Sequence, residues 1–84
     1  MTASKLTTLD CVEIGQAGVI ESISGEDSLT VRIMEMGVTP GAPFRMIGTA
    51  PLGDPIEIEV CHYRLSLRKS EARRVGVHLD DNGC

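Results

Sequence analysis

Residues 32–55 read RIMEMGVTPGAPFRMIGTAPLGDP and place the end of a helix, a tight turn and a strand close together. Gly37 stands where helices commonly end in a residue of positive φ, so the preceding helix is predicted to stop there. The Pro-Gly pair at positions 40–41 fits a type II turn, because proline presets the first dihedral and glycine accepts the positive φ that follows. This stretch therefore predicts a short α-helix at about residues 28–36 and a strand at 43–49.

The flanking residues are predicted to form further short strands. Residues 15–23 alternate imperfectly between apolar and polar, as in a strand that bends, whereas 56–61 and 64–68 alternate regularly. Ser70 is placed to cap a single helical turn, after which residues 75–79 give a closing strand. The predicted fold is mainly β, a small five-stranded barrel with one inserted helix, since closure removes the exposed edges that invite aggregation.

The two regular strands are predicted to pair as a hairpin with residues 62–63 as its loop. In that register Glu57 lies opposite Arg68, and Glu59 lies opposite Ser66. An opposite-charge pair across two strands contributes about 0.2–1 kcal/mol, which supports this register.

Size and charge exclude several classes of function. Eighty-four residues allow a single domain with a small core, ordered at about 7–79 with frayed ends, and no deep catalytic cleft. The formal charge is −4, and phosphate binding needs concentrated positive charge, so nucleic acid is not expected as a partner. No apolar stretch approaches the ~20 residues of a membrane helix and no signal peptide is apparent, so we expect a cytoplasmic protein that does not insert into a membrane.

Catalytic motifs are not found in the sequence, which contains no nucleophile elbow, HExxH helix or phosphate-binding loop. We therefore expect no enzyme. The only aromatic residues are Phe44 and Tyr63, too few for the groove with which signalling SH3 domains grip polyproline.

Metal binding has three weak candidate residues, Cys61, His62 and His78. Neighbouring residues on a strand point to opposite faces, so Cys61 and His62 could converge on one ion only through the hairpin turn. The alternative interpretation places Cys61 on an exposed strand face and His62 at a turn position of positive φ. Cys11, Cys61 and Cys84 are an odd number without a CxxC pair, so no disulfide framework or zinc finger is expected, and Cys84 is expected to lie exposed in a polar tail.

Three charged residues are only partly explained by local geometry. Glu35 falls in the last helical turn, where the helix dipole disfavours a carboxylate. Either Arg32 or Arg45 forms an ion pair with it, or Arg32, Glu35 and Asp54 present charge to a partner. Asp54 also has a structural alternative, since an aspartate before proline often accepts backbone hydrogen bonds in a turn.

The order and spacing of these pieces resemble the FeoA family, small accessory proteins of the ferrous iron transporter FeoB. The resemblance spans about residues 9–79 and rests on Arg32, Glu35, Met36, Gly37, Pro40, Gly41, Pro51, Leu52, Gly53, Asp54, Pro55, Leu65, Leu67 and Arg68. It implies an SH3-like barrel with an inserted helix and a cytoplasmic adaptor, peripheral to the inner membrane, that binds the GTP-binding part of FeoB. The helix at residues 28–36 and the loop at residues 51–55 would form the partner surface, with contacts from Arg32, Glu35, Met36, Asp54 and Pro55.

Family members commonly carry glycine where His62 falls, so an altered turn is expected there. The alternative function is a metal-responsive regulatory module, because the SH3-like C-terminal domains of iron- and manganese-dependent repressors resemble FeoA. We expect no cofactor beyond weak divalent metal binding, and at most weak homo-oligomerisation.

Overall fold

The computed structural model describes residues 5–80, which form one antiparallel sheet of six strands with short helical segments. The elements are β1 (Lys5–Thr8), a 3₁₀ turn (Leu9–Cys11), β2 (Ala17–Ile23), α1 (Ser28–Glu35), β3 (Pro43–Thr49), β4 (Ile56–Val60), β5 (Tyr63–Leu67), α2 (Lys69–Ala72) and β6 (Val75–Leu79). The strand order is β1-β6-β2-β3-β4-β5. The predicted mainly β architecture with one inserted helix is confirmed, but the sheet has six strands and is not closed.

The additional strand is β1, part of which was predicted to be a frayed end. Its residues pair with β6 along their whole length, from Lys5 opposite Leu79 to Thr8 opposite Gly76. This pairing partner lies some seventy positions away in sequence, so the short KLTT segment carries no local sign of it. Expectations for residues 1–4 and 81–84, including the exposed thiol of Cys84, lie outside the described residues.

Helix α1 begins and ends where the sequence predicted. Asp27 is its N-cap, and its carboxylate accepts a hydrogen bond from the Thr30 N–H at 3.4 Å. Met36 is the C-cap, and Gly37 follows with φ of 104°. The side chain of Ile33, on the inner side of α1, is fully buried in the apolar core. This packing holds the short helix in place.

The reversal between α1 and β3 is also confirmed. The Ala42 N–H donates to the Thr39 carbonyl at 3.0 Å, and Gly41 has φ of 92°. Beyond the turn, the burial of Phe44 and Met46 alternates with the exposed Arg45, as the strand pattern predicted. Met46 is thus a core residue.

The β4–β5 hairpin turns at Cys61 and His62, so the predicted loop at residues 62–63 is wrong. Both turn residues have positive φ, 51° for Cys61 and 76° for His62. Two-residue hairpin loops of type I′ require positive φ at both central positions, because only that twist matches the twist of the strands. Positive φ at His62 was anticipated, whereas Cys61 belongs to the turn and not to a strand face.

The earlier turn shifts the strand pairing by two positions. Glu57 lies opposite Ser66 instead of Arg68, and Glu59 lies opposite Arg64. The predicted Glu57–Arg68 pair is therefore wrong, and the Arg64 guanidinium instead approaches the Glu57 carboxylate to 3.9 Å. A shift of two leaves the side chains of the residues that remain in β4 and β5 on their predicted faces, because side chains alternate with a period of two.

A single apolar core lies on the inner face of the sheet. The bulge between Ile20 and Ser22 bends β2 around it, in agreement with the imperfect alternation of that strand. The largest fully buried side chains are Leu9, Ile20, Ile33, Val38, Met46, Ile58, Val60, Leu67, Val75 and Val77.

Candidate functional site

An open depression of about 260 Å³ lies where the end of α1, the loop before β4, the end of β5 and the start of α2 meet. It is lined by Arg32, Met36, Pro55, Ser66, Arg68 and Glu71. We call it the Arg32–Arg68 depression. Three of the residues predicted to contact a partner, Arg32, Met36 and Pro55, are thus brought together.

Asp54 does not line the Arg32–Arg68 depression but fixes one of its walls. Its carboxylate accepts a hydrogen bond at 3.0 Å from the backbone N–H of Lys69, the first residue of α2. Arg68 precedes that residue as the N-cap. Ser70, predicted to cap this turn, lies inside α2, and Asp54 supplies the acceptor from a loop distant in sequence. Asp54 therefore connects the loop before β4 to the start of α2.

A second carboxylate also stabilises the start of α2. The Arg68 N–H donates to Oε1 of Glu71 at 2.8 Å. Helix N-termini leave backbone N–H groups without partners inside the helix, so both carboxylates satisfy donors that would otherwise face water. The backbone of Arg68 is held by this hydrogen bond, while its exposed side chain forms no ion pair with a carboxylate of residues 5–80.

Glu35 is exposed on α1 beside the depression without lining it. The ion pair suggested for it, with Arg32 or Arg45, is not among the ion pairs of residues 5–80. The structural explanation of Glu35 therefore has no support in the described part of the chain.

The charge around the depression differs from that of the whole molecule. Half of the arginines pair with carboxylates, as Arg64 with Glu57 at 3.9 Å, Arg73 with Asp10 at 3.8 Å and Arg74 with Asp27 at 2.6 Å. Arg32, Arg45 and Arg68 have no such pair among the described residues, and two of these three line the depression. A chain of net charge −4 thus places two arginines without an ion pair, together with the carboxylate of Glu71, at one surface site.

The position of Arg32 depends on how α1 is attached to the sheet. Arg74, next to the start of β6, donates from Nη1 to the Asp27 carboxylate at 2.6 Å and to Thr30 Oγ1 at 3.3 Å. The hydroxyl of Thr30 in turn donates to the Ser24 carbonyl at 2.8 Å. The hydrogen bond from Arg74 holds the pKa of the Asp27 carboxyl below its usual range, and the same bond raises the pKa of Arg74.

The three candidate metal ligands are not brought together. Cys61 and His62 share the hairpin turn beside another open depression, of about 270 Å³, which Arg45 and Glu59 also line. His78 lies on β6, three strands away in the sheet order from β4, and its Nε2 is 3.0 Å from the Glu21 carboxylate. Within residues 5–80 no three His, Cys, Asp or Glu side chains are grouped to hold a metal ion.

Sequence reasoning missed Ser66, Arg68 and Glu71 as lining residues. Arg68 was noticed but was assigned to a cross-strand pair that the observed register does not form. Its exposed position at the end of β5 was a usable signal, whereas the approach of Asp54 to α2 depends on the tertiary fold. Across residues 5–80 no helix has the length and apolar composition needed to cross a bilayer.

The six-stranded antiparallel sheet with its inserted helix defines a small domain of SH3-like architecture. The family model of the FeoA domain matches residues 7–79, and the chain belongs to the FeoA family.

Three relatives illustrate this membership. A Porphyromonas gingivalis protein, described as a fusion of Fe(2+) transport protein A with the Fe(2+) transporter FeoB, is 34% identical over 65 residues, which are 77% of this chain and 8% of that protein. The crystal structure of an iron uptake regulatory protein (FeoA) superposes with a TM-score of 0.82 at 29% identity, covering 89% of this chain and 99% of that one. The structure of Stenotrophomonas maltophilia FeoA complexed with zinc, described as a prokaryotic SH3 domain protein, superposes with a TM-score of 0.74 at 33% identity. The match covers 84% of this chain and 88% of that one.

The fold also occurs in a manganese-dependent transcriptional repressor, which superposes with a TM-score of 0.80 at 16% identity, over 90% of this chain and 42% of that one. Similarity at this level shows the fold alone. It gives no support to the alternative of a metal-responsive regulatory module.

Proposed function

We propose that this chain is a non-enzymatic accessory protein of bacterial ferrous iron uptake, which docks on the cytoplasmic GTP-binding part of a FeoB transporter and modulates it. The observation that carries the proposal is the P. gingivalis relative, in which a homologous domain and FeoB are parts of one polypeptide. Domains joined in one chain in one organism often associate as separate chains in another. The chain would then be cytoplasmic and held at the inner membrane through its partner.

The Arg32–Arg68 depression is the proposed docking surface. Arg32, Met36 and Pro55 would contact the partner within it, and Glu35 would contact the partner at its margin. Asp54 would act indirectly, by holding the start of α2. A surface fixed by side-chain hydrogen bonds is suited to binding, since little ordering entropy is lost on association.

The adaptor role as proposed requires no cofactor. Cys61, His62 and His78 lie in two separate places, so we expect divalent metal binding to be weak. Calorimetric titration with ferrous, manganese and zinc ions should show no high-affinity site, and self-association should be weak in sedimentation experiments.

The test is retention of the cytoplasmic part of FeoB from the same organism on the immobilised chain, with and without a GTP analogue. We expect specific retention in at least one nucleotide state, compared with beads that carry an unrelated small β domain. Absence of retention in every nucleotide state would overturn the proposal. A GTPase assay on the chain alone should give only background, because the sequence has no nucleotide-binding motif.

A further inference from the structure

The Arg32–Arg68 depression combines two features. Its rim carries two guanidinium groups without a carboxylate partner among residues 5–80. Its lining also includes the half-buried side chain of Met36 and the ring of Pro55, which are apolar. The site therefore offers positive charge and apolar surface side by side.

One carboxylate lines the depression and must be accounted for. Glu71 is half-buried, and one of its oxygens already accepts the Arg68 N–H at 2.8 Å. It is thus committed to the backbone of α2, at the N-terminus of a helical turn, where negative charge is favourable. The two guanidinium groups remain available to a ligand.

The chemistry of the rim indicates what this ligand is. Guanidinium groups present their N–H donors in a planar fork that matches a carboxylate and forms two parallel hydrogen bonds with it. The thioether of Met36 and the ring of Pro55 favour an apolar side chain over a hydrated small anion. Both features are satisfied by a peptide segment in which acidic and apolar residues are neighbours.

We propose that the Arg32–Arg68 depression binds an acidic segment of the partner, whose carboxylates contact Arg32 and Arg68 while an adjacent apolar side chain packs on Met36 and Pro55. This inference rests on the proposed docking of the chain on the cytoplasmic part of FeoB. It adds the charge and character of the segment that is recognised.

The first experiment compares binding of that cytoplasmic part to the wild-type chain and to the Arg32→Gln/Arg68→Gln double variant. The expected result is about tenfold weaker binding by the double variant, with a shallower dependence on salt. Arg45→Gln is the matched control, because Arg45 is also exposed and unpaired among the described residues but lies outside the depression. All three substituted side chains are exposed, and equal far-UV spectra and melting temperatures would verify that the variants are folded.

The second experiment identifies the segment. Arg32→Lys and Arg68→Lys preserve the charge and introduce a primary amine, which a carbodiimide couples to a nearby carboxylate with loss of water. Mass spectrometry should then find links from Lys at either position to one cluster of Asp and Glu residues in the partner. Arg45→Lys should give no link to that cluster.

The outcomes separate this inference from the proposed function. Wild-type binding that is unchanged in the Gln double variant would overturn the acidic-segment inference and leave docking intact. Absence of wild-type binding would remove docking and this inference together.

Discussion

Arg74 connects the start of α1 to the sheet through a single guanidinium group. It reaches the Asp27 carboxylate at 2.6 Å and the Thr30 hydroxyl at 3.3 Å, while its carbonyl accepts the Ser24 N–H at 2.7 Å. The same residue therefore orients the helix that carries Arg32. Loss of the charge on Asp27 should weaken this attachment.

We predict that Asp27→Asn lowers the melting temperature at pH 7, and that the difference from wild type disappears in acid. Because the folded-state pKa of Asp27 is depressed, its stabilisation is fully present above the unfolded-state pKa of about 3.9 and is lost as the pH falls through the lower folded value. Asparagine still caps a helix, so the variant isolates the effect of the charge. Thermal melts between neutral and strongly acidic pH would check this.

The control for that experiment is Glu26→Gln, which removes the neighbouring exposed carboxylate. Glu26 has no ion pair in the part of the chain that the structure describes. Its melting curve should follow that of the wild type at every pH. If the melting temperature of Asp27→Asn stayed below that of the wild type by the same amount in acid, the stabilising role of the Asp27–Arg74 ion pair would be contradicted.

Gly37→Ala should destabilise the protein by about 1 kcal/mol or more. A Cβ at this position would meet no atom within 4 Å, so the cost comes only from the φ of 104°, which residues with a side chain rarely adopt. Urea unfolding followed by circular dichroism would measure it. An unchanged midpoint would show that the helix end relaxes to another geometry.

At the scale of single elements, the sequence predicted what local geometry determines. Helix α1, strand β3 and the turn between them were found because Gly37, Pro40 and Gly41 each satisfy a requirement of their own neighbours. The register of the β4–β5 hairpin was predicted wrongly, because a shift of two positions preserves the alternation of apolar and polar residues. Only the positive φ of Cys61 distinguishes the two registers, and cysteine carries no turn signal.

The need for glycine at position 18 in β2 could not be predicted from the sequence. Gly18 is buried in β2 at the crossing with β6, and a Cβ built on it would overlap the backbone carbonyl oxygen of His78. The backbone of a paired strand cannot move aside as a flexible side chain can. The need for glycine here comes from a strand sixty positions further along the chain.

Gly18→Ala should therefore destabilise the protein by about 3 kcal/mol, at the upper end of the cost of overpacking. Gly48→Ala is the matched control, since Gly48 is also a strand residue but a Cβ on it would meet no atom within 4 Å. That control should change stability by less than about 1 kcal/mol. Equal losses in the two variants would contradict the close approach of β2 and β6.

At the scale of the whole molecule, the sheet is open and β1 and β5 are its edges. The expectation of a closed barrel followed from the rule that edges invite association, yet within residues 5–80 the sheet has two edge strands, of four and five residues. The depression likewise could be predicted only in part. Arg32, Met36 and Pro55 were predicted from the stretch 32–55, while Arg68 joins them through the path of the chain between β5 and α2.

Deletion of residues 1–8 should lower the melting temperature and cause association that increases with protein concentration. It removes β1 and leaves the five residues of β6 with an unpaired edge. Size-exclusion chromatography at several concentrations and thermal melts would detect both effects. A monomeric variant with an unchanged melting temperature would show that β1 contributes nothing to the sheet.

The pairing of β1 with β6 places Lys5 opposite Leu79, so the described chain enters and leaves the domain at adjacent points. Neighbouring strands are only about 4.8 Å apart, so a host protein could carry this domain as an insertion or at either end with little strain on the linkers. A short flexible tether holds two linked surfaces at effective concentrations in the millimolar range. A contact too weak to persist between free molecules would then be occupied most of the time. A fused domain could therefore function with a lower intrinsic affinity than a separate chain, through the same contact.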